Sequence, residues 1–142
     1  MTMNFNIATF DAKPFVIFTL GETIKVYLDW VTHGNFSIRT ERNDYLTLER
    51  HHFKEILQAF AEAPKPSERK LFWTGTIPAR GFASDYLVEA YAPNENFIKF
   101  INSSCSFPHV PHYHCQMFLD VETLKKIAEK VDEYMGMRGE HE

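Results

Sequence analysis

The residues best suited to chemistry lie between Cys105 and Cys115, in the segment CSFPHVPHYHC. His112 and His114 are two positions apart in a predicted strand, so their side chains are expected on one face of it. Imidazole and thiolate are ligands of protein zinc sites, so these two histidines are the metal-ligand candidates, with His109 or either cysteine completing the site. The spacing matches no established zinc motif, and the alternative is a strand edge that exposes two histidines beside small buried cysteines. We expect no cofactor, with zinc at this pair as the alternative.

Motifs of the common enzyme classes are missing from the sequence. It contains no GxSxG nucleophile elbow, no P-loop, no GxGxxG and no HExxH. Asp132 and Glu133 are adjacent carboxylates, but they fall on the predicted surface of a helix. His51 and His52 fall in the first turn of another helix, where we expect both side chains to be solvated. The sequence therefore predicts a protein that is not an enzyme.

Composition and charge narrow the classes of partner. The chain has 142 residues, 44% of them apolar and 24% charged, which is typical of a folded globular protein. Its 15 basic and 19 acidic residues give a net charge of −4, whereas nucleic-acid-binding proteins usually carry a basic excess. A mildly acidic protein would be steered toward a basic partner surface. No apolar run approaches the roughly 20 residues that span a bilayer, and no signal-peptide pattern is present, so we expect a cytoplasmic protein without membrane contact.

Aromatic residues offer a second kind of site. They make up 15% of the chain, and several alternate with cations in predicted strands. Lys25 and Tyr27 share the polar face of one strand, and Phe97 and Lys99 lie on another. Aromatics interleaved with cations on a sheet can stack unpaired bases, at about 1–3 kcal/mol per base. These four residues are the candidate site for single-stranded nucleic acid, and the alternative is that the aromatics fill the core.

The elements that position these residues follow from apolar periodicity. Alternating or apolar runs predict strands, and apolar residues at i, i+3, i+4 and i+7 predict an amphipathic helix. The first half has strands at 15–20, 24–30, 36–40 and 45–48, then a helix with Phe53, Ile56, Leu57 and Phe60 on its apolar side. The second half has strands at 86–91, 97–101 and 112–119, a loop at 102–111, and a helix from Asp120, its N-cap, to Met135.

The two halves match at a constant shift. Leu124, Ile127 and Val131 lie 71 positions after Phe53, Ile56 and Phe60, and the same shift places Met117 on Leu46 and Tyr86 on Phe15. We therefore predict an α+β fold of two β-β-β-α units, at 13–63 and 70–135, with residues 71–76 as an added strand. Neither unit can cover its own apolar faces, so the antiparallel sheets and two amphipathic helices are expected to form one pseudo-symmetric domain. That domain would span residues 1–142, with a mobile tail at 136–142.

Two known families have a similar layout. The strands followed by Tyr45–Leu57, which read YLTLERHHFKEIL, resemble the strand-then-helix end of the Whirly-type single-stranded-DNA-binding fold. That family uses paired or duplicated sheet-plus-helix units, and the resemblance implies single strands bound across the sheets. The sequence carries no specific motif of that family and none of its basic patches.

The chain also resembles small immunity proteins of bacterial polymorphic-toxin systems, which are commonly acidic α+β proteins of about this length. The shared order is a helix at Phe53–Phe60, a tryptophan-bearing strand at Leu71–Trp73, strands at Tyr86–Ile101 and a closing helix at Leu124–Val131. This resemblance implies stoichiometric blocking of a toxin. The leading hypothesis is therefore a non-enzymatic protein-binding module, an inhibitor or immunity protein for a basic partner protein. A single-stranded nucleic-acid-binding protein is the alternative.

Overall fold

A computed structural model describes residues 15–29, 35–42, 44–67, 70–77, 86–106 and 110–137. They form two four-stranded antiparallel sheets, each followed by a helix. The first unit comprises β1 (Phe15–Leu20), β2 (Ile24–Asp29), β3 (Asn35–Arg39), β4 (Tyr45–Leu48) and α1 (Arg50–Glu62). The second comprises β5 (Trp73–Ile77), β6 (Tyr86–Tyr91), β7 (Phe97–Ser106), β8 (Val110–Asp120) and α2 (Val121–Met137). In each sheet the strands pair in chain order.

The prediction of an α+β fold with two similar sheet-helix units is confirmed, but each unit has four strands instead of three. The predicted added strand at 71–76 corresponds to β5, which pairs with β6 and begins the second sheet. Its side chains alternate, so Trp73 and Ile77 are buried whereas Thr74 and Thr76 are exposed. β5 therefore belongs to the same layer as the three strands that follow it, and it completes the second four-strand meander.

Residues 71 positions apart occupy equivalent places at the end of each unit, but not at its start. β4 and β8 are both the last strand of their sheet, and Leu46 and Met117 are both buried. Phe15, however, begins the first strand of its sheet, whereas Tyr86 begins the second strand of the other. The cause is length, because β7 and β8 have 10 and 11 residues whereas β3 and β4 have 5 and 4. The strands β7 and β8 therefore include most of the residues predicted as a loop at 102–111.

Both units contribute to one apolar cluster. α1 buries Phe53, Ile56 and Phe60, and α2 buries Leu124 and Ile127. These side chains belong to the same cluster as inward residues of both sheets. α1 contacts β5 and α2 contacts β1, so each helix packs against a strand of the other unit, and the two helices also contact each other. The apolar faces of the sheets are therefore covered jointly by the two units.

α2 begins where the sequence predicts. The Asp120 carboxylate accepts the backbone N–H of Glu122 at 2.8 Å, as an N-cap does. The helix continues to Met137, so it includes the first two residues of the predicted tail, and residues 138–142 lie outside the described part. Within the described ranges, neither helix combines the length and the apolar character that crossing a bilayer requires.

Candidate functional site

The four residues predicted to bind nucleic acid lie on two different sheets. Lys25 and Tyr27 are on β2 of the first sheet, whereas Phe97 and Lys99 are on β7 of the second. Within each pair the residues are two positions apart, so they share a face of their strand. The structure therefore divides the predicted site into two pairs, each with its own surroundings.

Tyr27 already contacts a cation of its own sheet. The guanidinium carbon of Arg39 lies 4.7 Å from the centre of the Tyr27 ring and 5.5 Å from the centre of the Tyr45 ring. Tyr45 in turn meets Tyr86 of the second sheet edge to face, with ring centres 6.0 Å apart. One face of the half-buried Tyr27 ring is therefore occupied by Arg39, and Lys25 is the exposed member of this pair.

Phe97 and Lys99 belong to an exposed sheet face. Lys99 pairs with Tyr91 on β6 and with Phe118 on β8, so the three side chains form a row across three strands. The Lys99 ammonium lies 5.2 Å from the centre of the Tyr91 ring, within the range of a cation–π contact. Phe97 is 40% exposed and Phe118 is 56% exposed. The outward residues of β6, β7 and β8 whose side chains the structure describes are here termed the open face; they are Leu87, Glu89, Tyr91, Phe97, Lys99, Ile101, Ser103, Gln116, Phe118 and Asp120.

The open face is apolar with a small acidic excess. Four large hydrophobic residues are exposed among those described, and three of them are on this face, namely Leu87, Phe97 and Phe118. Lys99 is the sole cation among the members of the open face, whereas Glu89 and Asp120 are both acidic. The face therefore offers apolar contact area together with a net negative charge.

The predicted metal ligands His112 and His114 are on β8, but their side chains fall outside the described part of the structure. His114 pairs with Ser103 of β7. Cys115, which could complete such a site, is described and buried, and its thiol donates to Oδ1 of Asp44 at 3.4 Å. Zinc binding at the two histidines stays a prediction.

The start of α1 forms a polar cluster, and the expectation that both histidines there are solvated is wrong for His52. His52 is 5% exposed, and its Nδ1 accepts the backbone N–H of Glu49 at 3.0 Å. This is the half of a capping box in which residue N3 reaches back to the N-cap. His51 is exposed, and its Nε2 lies 3.6 Å from Oε1 of Glu49 and 3.7 Å from Oε2 of Glu55. Glu49, His51 and His52 offer possible ligand atoms that all lie within 4.8 Å of one another.

Trp73 packs against this cluster from the second sheet. Its Nε1–H donates to Oε1 of Glu55 at 3.3 Å, and its ring meets His52 edge to face with ring centres 5.1 Å apart. Burial lowers the pKa of His52 and the neighbouring His51 lowers it further, although Glu49 and Glu55 act in the opposite direction. His52 is therefore neutral near pH 7, as its role as a hydrogen-bond acceptor at Nδ1 requires. Glu49, His51, His52, Glu55 and Trp73 are together termed the α1 cluster.

Two local signals in the sequence point to part of the α1 cluster. Glu49 and His52 have the i, i+3 spacing of a capping pair, and His51 and Glu55 have the i, i+4 spacing of neighbours on a helix surface. The part played by Trp73 has no such signal, because it lies 18 residues after Glu55 in another element.

No protein-family model matches the chain, and no curated protein matches it at a significant level. The open face and the α1 cluster are therefore the features that indicate a function.

Proposed function

We propose that the protein is a non-enzymatic protein-binding module that inhibits a basic partner protein stoichiometrically, as immunity proteins inhibit toxins, and that it binds through the open face. The observation that carries this proposal is the joint exposure of Leu87, Phe97 and Phe118 on one side of one sheet. Phe97 and Phe118 are diagonal neighbours on β7 and β8, and exposed apolar side chains grouped on one face are typical of a binding surface.

The exposed aromatic residues of the open face are typical of the centre of a protein interface. Phe97 and Phe118 offer large, rigid apolar side chains, and aromatic residues are enriched in the cores of protein–protein interfaces. Truncating a few residues of this kind usually removes most of the binding energy. We therefore expect the partner to present an apolar patch or pocket of matching size.

The charge of the open face favours a basic partner. The open face has two acidic residues, Glu89 and Asp120, and one basic residue, Lys99. The whole chain carries a net charge of −4. Complementary charge increases the rate of encounter and disfavours partners of the same sign. A partner with Lys or Arg around its apolar patch therefore fits this surface.

The same surface is a poor match for a nucleic-acid backbone. A single strand is usually held along a positively charged groove as well as by stacking, and Lys99 alone supplies positive charge on the open face. Lys25, the other cation predicted for this role, lies on the first sheet. Single-stranded nucleic acid is therefore the alternative that the experiment must distinguish.

Co-expression with basic toxins encoded by neighbouring genes tests the proposal. We expect protection of growth and a 1:1 complex in size-exclusion chromatography with light scattering. Phe118→Ala should weaken this complex by about 2 kcal/mol or more, which is about 30-fold in Kd. Thr19→Ala is the matched control, because Thr19 is an exposed strand residue of the first sheet, and it should leave Kd unchanged.

Three outcomes would contradict the proposal. Absence of both protection and complex formation with all of these toxins would contradict the inhibitor function. Equal Kd values for Phe118→Ala and the unmodified chain would show that the open face is not the docking surface. Fluorescence anisotropy with a labelled strand of about 20 nucleotides should stay flat at low and physiological salt. Tight, salt-sensitive binding that Phe97→Ala abolishes would establish the nucleic-acid alternative instead.

A further inference from the structure

The start of α1 has the geometry of a second site, independent of the open face. We propose that Glu49, His51 and Glu55 bind a divalent transition-metal ion of the Zn²⁺ type, and that His52 and Trp73 are positioning residues. This site goes beyond the protein-binding function and shares no residue with the surface proposed for it.

His51 is the central ligand of this site. Its Nε2 lies 3.6 Å from Oε1 of Glu49 and 3.7 Å from Oε2 of Glu55. Zinc bonds of about 2.0–2.2 Å place two ligand atoms of a tetrahedron about 3.3–3.5 Å apart. Each carboxylate oxygen is therefore close to the separation from Nε2 of His51 that two ligands of one ion require.

Both glutamates are held by additional contacts. Trp73 donates its Nε1–H to Oε1 of Glu55 at 3.3 Å, and the other oxygen, Oε2, is the one that faces His51. The backbone N–H of Glu49 donates to Nδ1 of His52 at 3.0 Å, which fixes the main chain of Glu49 at the helix start. Supporting contacts of this kind orient metal ligands before the ion binds.

His52 supports the site without being a ligand, although its Nε2 lies 3.7 Å from Oε1 of Glu49. Its Nδ1 accepts a hydrogen bond and therefore carries no proton. The single proton of the neutral ring is then on Nε2, which leaves that nitrogen without a lone pair for a metal. The contact that makes His52 a helix cap thus removes it from the ligand set.

The three ligand side chains are accessible from solvent. Glu49, His51 and Glu55 are 28%, 58% and 51% exposed, so an ion can enter and water can complete its coordination. One imidazole nitrogen with carboxylate oxygens suits Zn²⁺ and its neighbours in the transition series, whereas Ca²⁺ and Mg²⁺ prefer oxygen ligands alone. The competing explanation is that His51 contacts the two carboxylates directly, without an ion.

Isothermal titration of the chelator-treated chain with ZnCl₂ tests the proposal. We expect one equivalent of zinc to bind with a Kd below about 0.1 mM. His51→Gln removes the imidazole and should weaken this binding more than about tenfold, since loss of a mere supporting group already costs that much. Glu62→Gln is the matched control, because it removes an exposed carboxylate from the other end of α1 and should leave the Kd unchanged. The double variant His112→Gln, His114→Gln tests the alternative zinc site on β8.

A folding control separates loss of the ligand from loss of structure. His51 is exposed, so His51→Gln should keep the free energy of unfolding within about 0.5 kcal/mol of the unmodified chain. A zinc Kd weaker than about 0.1 mM would overturn the proposal and favour direct contact between His51 and the two carboxylates. Zinc binding that survives His51→Gln and disappears in the double variant would overturn it as well, and would place the ion at His112 and His114.

Discussion

Gly75→Ala tests whether the ring of Trp73 is held rigidly between the second sheet and α1. A Cβ atom at position 75 would lie 2.5 Å from Cη2 and 2.7 Å from Cζ2 of the Trp73 ring, closer than real Cβ contacts occur. The ring has little room to retreat, because Trp73 is 9% exposed, touches His52 edge to face and donates to Glu55. The added methyl group must therefore displace a buried side chain.

The expected magnitude follows from these contacts. Overpacking a filled interior destabilises a protein by about 1–3 kcal/mol, and loss of the Trp73–Glu55 hydrogen bond would add about 0.5–1.5 kcal/mol. Alanine offsets part of this, because glycine in a strand is about 0.5–1 kcal/mol less favourable. We expect Gly75→Ala to lower the free energy of unfolding by about 1–3 kcal/mol, measured by urea denaturation.

A double-mutant cycle separates the ring contact from any effect on the backbone. Trp73→Phe removes the outer ring atoms that the new Cβ would meet, so Gly75→Ala in that background should raise the free energy of unfolding by about 0.5–1 kcal/mol. An equal loss of stability in both backgrounds would contradict this expectation, because the cost would then come from the strand and not from the ring. No loss in either background would show that the Trp73 ring can move freely.

The remaining predictions concern stability and are checked by the same denaturation assay. Ile56→Ala should lower the free energy of unfolding by about 2–5 kcal/mol, because Ile56 is fully buried; a smaller loss would indicate a core that collapses around the cavity. His52→Ala should lower it by about 0.5–2 kcal/mol through loss of the acceptor for the Glu49 N–H, and no change would contradict the capping role. Asp132→Ala should cost less than about 1 kcal/mol, because its 2.9 Å ion pair with Arg50 is solvent-exposed. Phe118→Ala should stay within about 0.5 kcal/mol, which its use as a binding variant requires.

Local periodicity predicted most of the elements because each pattern is contained in a few neighbouring residues. The spacing of Phe53, Ile56 and Phe60 places them on one side of α1, and all three are buried. The alternation of Val26 and Leu28 likewise predicts which face of β2 is inward. Patterns of this kind depend on the geometry of a single helix or strand, so they need no knowledge of the rest of the chain.

The strand count was harder to predict because membership of a sheet depends on partners distant in sequence. The segment that contains Trp73 and Ile77 was predicted as a strand, but only its pairing with β6 makes it the first strand of the second sheet. The same limit explains the match of Tyr86 to Phe15, which compared strands of different position in their sheets. A constant shift compares sequence positions and does not detect a hairpin that has become longer.

The two candidate sites also combine relations that local sequence patterns predict with contacts between residues distant in sequence. Backbone periodicity places Phe97 and Lys99 on one strand face and makes His51 and Glu55 neighbours on a helix, so both relations can be predicted from the sequence. The position of Phe118 beside Phe97 and Lys99 on the open face depends on how the strands pair. The contacts of Trp73 with His52 and Glu55 depend on how the second sheet packs against α1. An apolar pattern predicts that a face is buried, but which element buries it depends on how the sheets and helices pack.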